Sequence, residues 1–536
     1  GIPRRSDGFA DGRHYWSNVV VMAENPPNIL FLLSDEHSYR AMGHLDPAAD
    51  GEPVDTPTFD SLAAAGTRLN NTYCQVPLCT PSRLCMLTGM NPMQSGGWSN
   101  GAMIAEDRPT MASLLADAGY ETCLVGKMHL GGDRQFAGFH HRPYGDLTGE
   151  TGHQWEPLHR SGGKSLRDRT LDAGVTEIPE SQLQEQIVAR ESLAFLREHH
   201  AAKPNQPWFV CASFSRPHFP LTAPRRWMDR YWPDGVTPPK IGREGDTADH
   251  PMTRGMIKGF RTDEINDRES LYARAAYFAC VSYLDELIGD MLACMHRDGL
   301  LDNTIVVYTS DHGELMGEHG VWWKNSWHEG AARVPLLVQT TEQRRGEQPA
   351  ATVNTPVSLA DLLPTFCGFA DVKPPDDLDG IDLGHAIAKG VEPERPPVWL
   401  TNPQPRWGEG SEHVVVRESD WKYVRFRGMQ PNLLFNLADD PLEQRNLVEA
   451  EPTRAAAMRA WADQQWDFDA AEAACDRHMS LSKERAMKLP RAGNLYHDIH
   501  GRYVDAELSL YAPRVVAELP SNAVHDFPAT ESEPTA

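Results

Sequence analysis

The chain has 536 residues, enough for one large domain and a smaller one, because single hydrophobic cores stop growing near about 250–300 residues. It carries 51 Lys and Arg against 75 Asp and Glu, which gives a formal net charge of −24. Nucleic acids and anionic membranes bind basic surfaces, so neither is expected as a partner.

The sequence also bears on the cellular location, the N-terminal residues and the state of the cysteines. No stretch is apolar for long enough to span a membrane, and no signal peptide is visible, so a cytoplasmic protein is expected. Residues 1–25 have no clear pattern and are interpreted as a leader or an N-terminal extension. The nine cysteines are scattered without a CxxC pair, and the apolar runs around Cys280 and Cys294 favour reduced core thiols.

Strand-like and helix-like segments alternate along the chain. In order, the apolar runs 28–33, 121–126, 208–214 and 303–310 predict strands, and 58–66 and 270–295 predict helices. This alternation is typical of an α/β fold with a large, mainly parallel sheet sandwiched by helices. Ligands of such sheets bind beyond the carboxyl ends of the strands. We predict a catalytic domain over 26–390, a small α+β subdomain over 391–475 with a hairpin at 413–426, and an extension over 476–536.

Two predicted strands end in similar polar residues. Asp35 and Glu36 follow the first strand, and Asp311 and His312 follow a later one. A carboxylate after one strand is often only a helix cap or turn former, but two such ends in one sheet favour a shared function. Hard oxygen donors with one imidazole suit calcium, magnesium or manganese.

Basic side chains follow other strands in the same way. Lys127 and His129 come after 121–126, His218 after 208–214, and Lys324 before the strand-like 334–339. Each alone is more often a solvent-facing or ordinary hydrogen-bonding residue. Together with Arg83 they predict a cationic pocket over a metal, as a sulfate or phosphate group requires.

The stretch VPLCTPSRLCMLTG (76–89) leaves three interpretations open for Cys79: a core residue, a metal ligand or a nucleophile. A thiolate at a helix start would be activated by the helix dipole. Cys85, further along the same predicted helix, has no such context and is expected in the core.

A family resemblance bears on this choice. CTPSR resembles the C-x-P-S-R signature of formylglycine sulfatases in the alkaline phosphatase superfamily, and GKMHLGG is similar to their GKWHLG. RPHFP, SDHG, Lys324 and the segment 432–448 follow in the family's order, so the resemblance covers about residues 26–470. It implies that Cys79 is oxidised to formylglycine by the formylglycine-generating enzyme, which reads Pro81 and Arg83.

The resemblance also implies roles for the site residues. The hydrated formylglycine would attack the sulfur of a small-molecule or saccharide sulfate ester and then expel sulfate as its carbonyl reforms. One divalent cation, calcium or alternatively manganese, would be held by the metal ligands Asp35, Cys79, Asp311 and His312. The implied roles of the other side chains are proton acceptance from the nucleophile by Asp311, stabilisation of the diol and sulfate by Arg83 and Lys127, base catalysis by His129, and protonation of the leaving oxygen by His218 or Lys324.

The strand-end pairs Asp35-Glu36 and Asp311-His312 depart from the Asp-Asp and Asp-Asn that many sulfatases carry. The Asp-His form occurs in iduronate and choline sulfatases and in the related phosphonate monoester hydrolases. Phosphonate monoester or phosphodiester hydrolysis is therefore the alternative activity, and a non-catalytic anion- or sugar-binding protein is the rival outside enzymes. Glu36 reaches the metal in one interpretation and turns away in the other.

The leaving-group side has weaker signals. Trp98, Trp322, Trp323 and Trp327 lie near motif loops and are interpreted either as packing residues or as stacking surfaces for a sugar, an aryl ring or a quaternary ammonium. The polar tail 476–536 is expected to become ordered against another subunit of a homo-oligomer.

Overall fold

The computed structural model describes residues 25–105, 108–131, 134–145, 166–243, 247–488, 495–497 and 503–505. The predicted leader, apart from residue 25, and most of the predicted extension lie outside these ranges. Within them, no helix is both long and apolar enough to cross a membrane.

The strands, in chain order, are β1 (Asn28–Asp35), β2 (Thr67–Leu69), β3 (Thr72–Tyr73), β4 (Glu121–Gly126), β5 (His141–Tyr144), β6 (Gly174–Val175), β7 (Trp208–Pro217), β8 (Thr222–Ala223), β9 (Thr304–Ser310), β10 (Arg333–Val334), β11 (Leu336–Gln339), β12 (Ala351–Val353), β13 (Val357–Ser358), β14 (Val398–Asn402), β15 (His413–Glu418), β16 (Trp421–Phe426), β17 (Leu433–Asn436), β18 (Leu495–His497) and β19 (Tyr503–Asp505).

The α-helices are α1 (Pro57–Ala65), α2 (Cys79–Thr88), α3 (Pro92–Ser95), α4 (Met111–Asp117), α5 (Leu166–Leu171), α6 (Gln184–Ala202), α7 (Arg225–Tyr231), α8 (Pro251–Phe260), α9 (Asp267–Arg297), α10 (Glu329–Ala332), α11 (Thr341–Arg344), α12 (Leu362–Phe369), α13 (Gly384–Lys389), α14 (Pro452–Gln465) and α15 (Phe468–Lys488). Short 3₁₀ turns lie at Glu180–Gln182, Thr262–Glu264, Glu318–Gly320 and Leu359–Asp361.

The main sheet has eight strands in the order β12-β2-β11-β9-β1-β7-β4-β5. The central strand β1 pairs in parallel with β7 and β9, whereas β11 is antiparallel to both of its neighbours, β9 and β2. The prediction of a large, mainly parallel sheet is therefore confirmed. Because β1, β7 and β9 run in the same direction, the residues that follow them meet at one edge of the sheet.

Both faces of the sheet are covered, which explains the continuous apolar run of β1. Ile29, Phe31 and Leu33 pack on one side against α2, α4 and α12. Leu30 and Leu32 pack on the other side against α1, α6 and α9. Successive side chains of a strand point to opposite faces, so a strand buried on both faces must be apolar at every position.

Helix α9 contains the predicted helix 270–295 and begins at a capping box formed by Asn266 and Glu269. Cys280 is buried on it, as expected. The prediction that Cys294 is a core thiol is wrong, because this side chain is only partly buried and its sulfur accepts a hydrogen bond from Arg297 at 3.0 Å. Its position near the end of α9 turns it partly towards solvent despite the apolar sequence around it.

The C-terminal sheet is antiparallel, in the order β14-β15-β16-β17, and it contains the predicted hairpin at 413–426 as β15 and β16. Helix α14 packs on β15 and β16. Helix α15 continues across the predicted boundary at residue 476, and the domain limits themselves stay predictions. Buried Lys422 of β16 joins this sheet to the catalytic domain, because its Nζ lies 2.8 Å from Glu329 Oε1.

Candidate active site

The site begins where β1 and β9 end. These parallel neighbours are paired through Ser34 and Ser310, so the residues after them, Asp35 and Asp311, lie side by side. Both carboxylates are fully buried. The backbone N–H of Glu36 donates to Asp311 Oδ1 at 3.2 Å, which ties the two strand ends together.

Helix α2 brings Cys79 and Arg83 to these carboxylates. Cys79 is its first residue, and Arg83 follows one turn later with its side chain completely buried. The Arg83 guanidinium donates from Nε to Asp311 Oδ2 at 2.8 Å and from one terminal nitrogen to Asp35 Oδ2 at 2.9 Å. One side chain therefore fixes the helix start against both strand ends.

Four residues form a compact set of donor atoms: Asp35, Cys79, Asp311 and His312. One ligand atom of each lies within 4.8 Å of all the others. His312 Nε2 is 3.2 Å from Cys79 Sγ and 3.7 Å from Asp35 Oδ1. Two carboxylates and one imidazole fit a divalent cation, and an oxygen in place of the sulfur at position 79 would make the set harder still. The geometry thus brings together all four predicted metal ligands.

The charges of the site shift the pKa values of these groups. Burial opposes ionisation of Asp35, but Lys127, His218 and Arg83 outweigh it and hold the pKa of Asp35 well below its usual range. Burial and the charge of Asp35 raise the pKa of Asp311, although Arg83 counteracts them. The surroundings therefore favour the charged form of Asp35 more strongly than that of Asp311.

The Cys79 thiol experiences the same field. Burial and Asp35 work against its ionisation, whereas Lys324, His312 and Lys127 favour it and lower its pKa well below the ordinary value. Cys85 behaves differently: it is buried, its sulfur lies 3.4 Å from Ser95 Oγ, and burial raises its pKa to about 12. This contrast supports a special role for Cys79 and a core role for Cys85.

Three predicted basic residues surround the carboxylates. Lys127 Nζ lies 2.8 Å from Asp35 Oδ2, and Lys324 Nζ lies 2.9 Å from Glu36 Oε2. His218 Nδ1 faces the carbonyl oxygen of Phe219 at 2.8 Å, so we infer that Nδ1 carries the proton of the neutral ring and that Nε2 faces the site. Burial, Lys127 and Lys324 lower the pKa of His218 well below its usual value.

His129 reaches the site through an unusual backbone conformation. Its φ is +54°, and its carbonyl oxygen accepts a 2.5 Å hydrogen bond from Thr80 Oγ1, next to Cys79 in the chain. The His129 side chain lines the same pocket as Cys79. Thr80 therefore positions His129, a role that the sequence pattern did not reveal.

The Glu36 carboxylate lies beside two basic residues and outside the set formed by Asp35, Cys79, Asp311 and His312. Its Oε2 lies 2.9 Å from Lys324 Nζ and 3.4 Å from His218 Nε2, and its φ is +67°. Burial raises the pKa of Glu36, and nearby Glu314 adds to this rise. The Glu36 carboxylate thus pairs with Lys324 and His218, and with Asp35 and His218 it also offers donor atoms within 4.8 Å of one another, so both interpretations of Glu36 stay open. Glu314 directly follows the SDHG stretch but had no predicted role.

The site opens into a cavity of about 690 Å³ whose floor includes Cys79, His129 and Lys324. Trp323 lines it, but Trp322 does not. Trp98 packs against Trp466 in the C-terminal part, with ring centroids 6.2 Å apart. Trp327 stacks on His328 and Phe435. The packing interpretation therefore holds for three of the four tryptophans, and only Trp323 faces the cavity.

Comparisons with known proteins agree with this geometry. The family model described as Sulfatase matches residues 27–372, and the model described as N-sulphoglucosamine sulphohydrolase, C-terminal, matches residues 317–464. A choline-sulfatase of Rhizobium meliloti (strain 1021) is 31% identical over 472 residues, covering 84% of this chain and 89% of the relative. An arylsulfatase of Clostridium perfringens (strain 13 / Type A) is 30% identical over 454 residues, covering 79% of this chain and 91% of the relative.

Solved structures share the fold. The phosphonate monoester hydrolase of Agrobacterium radiobacter superposes with a TM-score of 0.67 at 22% identity, covering 84% of this chain and 96% of that one. A protein solved in complex with its substrate D-glucosamine-2-N,6-O-disulfate gives a TM-score of 0.65 at 22% identity, covering 84% of this chain and 99% of that one. The chain belongs to the sulfatase family of the alkaline phosphatase superfamily and is a sulfuric ester hydrolase.

Proposed function

We propose that the enzyme hydrolyses small-molecule or saccharide sulfate esters through formylglycine at position 79 and a covalent sulfo-enzyme intermediate. The observation that carries this proposal is the meeting of Cys79 with Asp35, Asp311 and His312 beneath a ring of basic side chains. The helix from Cys79 to Thr88 is buried at every position. The formylglycine-generating enzyme, which reads Pro81 and Arg83, must therefore act before the chain has folded.

The first half of the reaction forms the sulfo-enzyme. Asp311 accepts the proton of one formylglycine hydroxyl, and that oxygen attacks the sulfur of the ester. Arg83 and Lys127 stabilise the charge of the carboxylates and sulfate oxygens. Lys324 or His218 protonates the departing alcohol oxygen, and His218 can do so only when both ring nitrogens carry a proton, because Nε2 of the neutral ring has none to donate. Asp35, Asp311, His312 and residue 79 would hold a divalent cation, calcium or alternatively manganese, which would supply Lewis acidity at this site.

The second half releases sulfate. His129 removes the proton of the remaining hydroxyl, the carbonyl of formylglycine reforms, and the carbon–oxygen bond to sulfate breaks. The water that later hydrates the aldehyde restores the diol. No water needs to attack the sulfated residue, which is the advantage of a diol over a single hydroxyl.

A panel of esters tests the proposed reaction. We expect kcat/KM for at least one ester in a set of aryl, sugar and choline sulfates to exceed that for a phosphonate monoester and a phosphodiester. The fold neighbours include a phosphonate monoester hydrolase, and the same cationic pocket suits phosphonates, so these two substrates are the informative rivals. A higher kcat/KM for either rival than for every sulfate ester would contradict the proposal.

The metal ligands are tested by metal content as well as by rate. Asp35→Asn and Asp311→Asn each remove one charge from the donor set, so bound metal should fall and activity should collapse. His312→Asn restores the commoner family pair, and it should keep metal but change the preference among cations. Metal is measured by mass spectrometry of the desalted protein.

Asp285→Asn is the matched control, because Asp285 is a buried carboxylate that accepts hydrogen bonds from the backbone of Thr58 and Phe59 instead. It should lower stability and leave the metal content unchanged. Full metal retention in both Asp35→Asn and Asp311→Asn would refute this site.

The proton donor is tested by the leaving group. His218→Ala should slow hydrolysis of an alkyl or sugar sulfate by about 10²–10⁴, the usual range for general acid catalysis, because a poor leaving group needs a proton. The leaving group of a nitrophenyl sulfate needs little protonation, so His218→Ala should slow hydrolysis of this ester far less. His200→Ala, on the exposed side of α6, is the control and should change neither rate. Equal losses on both substrates would assign His218 to sulfate binding, and Lys324 would become the next candidate acid.

A further inference from the structure

The outer part of the active-site cavity carries positive charge in addition to that at the sulfate end. Although the whole chain has a net charge of −24, the described lining of the cavity includes no Asp or Glu. It includes five basic side chains: His129, Arg169, His218, Lys324 and Arg406. Lys324 and His218 belong to the sulfate end, because both contact Glu36. Arg406 comes from the C-terminal part and has no role in the proposed chemistry.

Arg406 is unpaired among the described residues, where it forms no salt bridge and no side-chain hydrogen bond. It is exposed at the cavity and lies 5.9 Å from the ring centroid of Trp407. Arg406 and Cys79 line the same cavity, so the guanidinium faces the space in which a substrate at residue 79 would bind. A cation held over a substrate cavity without a protein counter-charge suits an anionic ligand.

The segment that carries Arg406 is firmly anchored. Trp407 Nε1 donates to the carbonyl oxygen of Asn325 at 2.8 Å, next to Lys324, and the Trp407 ring lies 4.5 Å from Phe260. On the other side, a Cβ at Gly255 would meet the Trp407 carbonyl oxygen at 2.0 Å, so only glycine allows this approach. The guanidinium is thus attached to a fixed wall, which reduces the entropy lost on binding.

The aromatic surface of the cavity is unsuited to a quaternary ammonium group. Phe219 is already covered by the chain's own cations: the Arg169 guanidinium lies 4.3 Å and Lys324 Nζ 5.6 Å from its ring centroid. Lys324 also lies 5.7 Å from the centroid of Trp323. A cationic leaving group would meet occupied rings and the positive charge of Arg406, so it would be repelled.

Resting on the proposed sulfatase function, we propose that the alcohol part of the substrate carries a second anionic group, a carboxylate or another sulfate, which binds Arg406. The sulfate being cleaved binds over residue 79, and the second anion binds at the outer wall formed by Arg406 and Trp407. This substrate class differs from the choline ester named for the Rhizobium meliloti relative.

Three matched aryl esters test this specificity: 3-carboxyphenyl, 3-carbamoylphenyl and 3-(trimethylammonio)phenyl sulfate. For each ester, kcat/KM of Arg406→Gln is divided by kcat/KM of the wild type, which cancels the intrinsic reactivities of the esters. Loss of one charge-assisted contact should lower kcat/KM for the carboxylate by about tenfold, mainly through KM, and leave the carbamoyl ester within about twofold. For the trimethylammonio ester, kcat/KM should rise in Arg406→Gln and rise further in Arg406→Glu.

Arg190→Gln is the control, because it removes the same charge from the exposed face of α6 and should shift none of the ratios. Equal effects of Arg406→Gln on all three esters, or no effect on any, would overturn the proposal. The same phenols are also tested as methylphosphonate monoesters. Hydrolysis of the phosphonates alone would overturn the sulfatase mechanism, and the Arg406→Gln ratios would still decide the leaving-group proposal.

Discussion

The active site depends on one buried guanidinium. Arg83 holds both Asp35 and Asp311 from the first turn of α2, and all three side chains are fully buried. Two carboxylates so close together would otherwise favour protonation of one of them. Removal of one partner from a buried ion pair costs about 3–5 kcal/mol, so this contact fixes the position of Cys79 relative to both strand ends.

A second buried charge group places the other wall of the cavity. Lys422 of the C-terminal sheet contacts Glu329 at 2.8 Å and Glu443 at 2.6 Å, and Glu329 begins the short helix that follows the Lys324 segment. The sulfate end of the cavity is built from strand ends of the main sheet. The alcohol end is built partly by the C-terminal part, so leaving-group preference can change without disturbing the chemistry.

The strand-end residues could be predicted because parallel strands bring their carboxyl ends to one edge, which places Asp35, Lys127, His218 and Asp311 together once the strands are identified. The orientation of the Glu36 side chain could not be predicted, because it depends on a backbone φ of +67° and on the nearby Lys324 and Glu314. Side-chain packing likewise decided which tryptophan faces the cavity.

Arg406 illustrates a different limit of sequence reasoning. It lies in a connection after β14, far along the chain from every motif of the site, and nothing in its local sequence marks it. Only the contact of Trp407 with Asn325 reveals which cavity it lines. Likewise, the partly exposed position of Cys294 depends on how α9 packs and not on the apolar residues around it.

The most direct test of the mechanism is the mass of the peptide that contains residue 79, measured on active enzyme together with its specific activity. If formylglycine is the nucleophile, this peptide has lost the elements of H₂S and gained one oxygen, and activity is proportional to the modified fraction. Fully active enzyme that carries only unmodified Cys79 would contradict this mechanism.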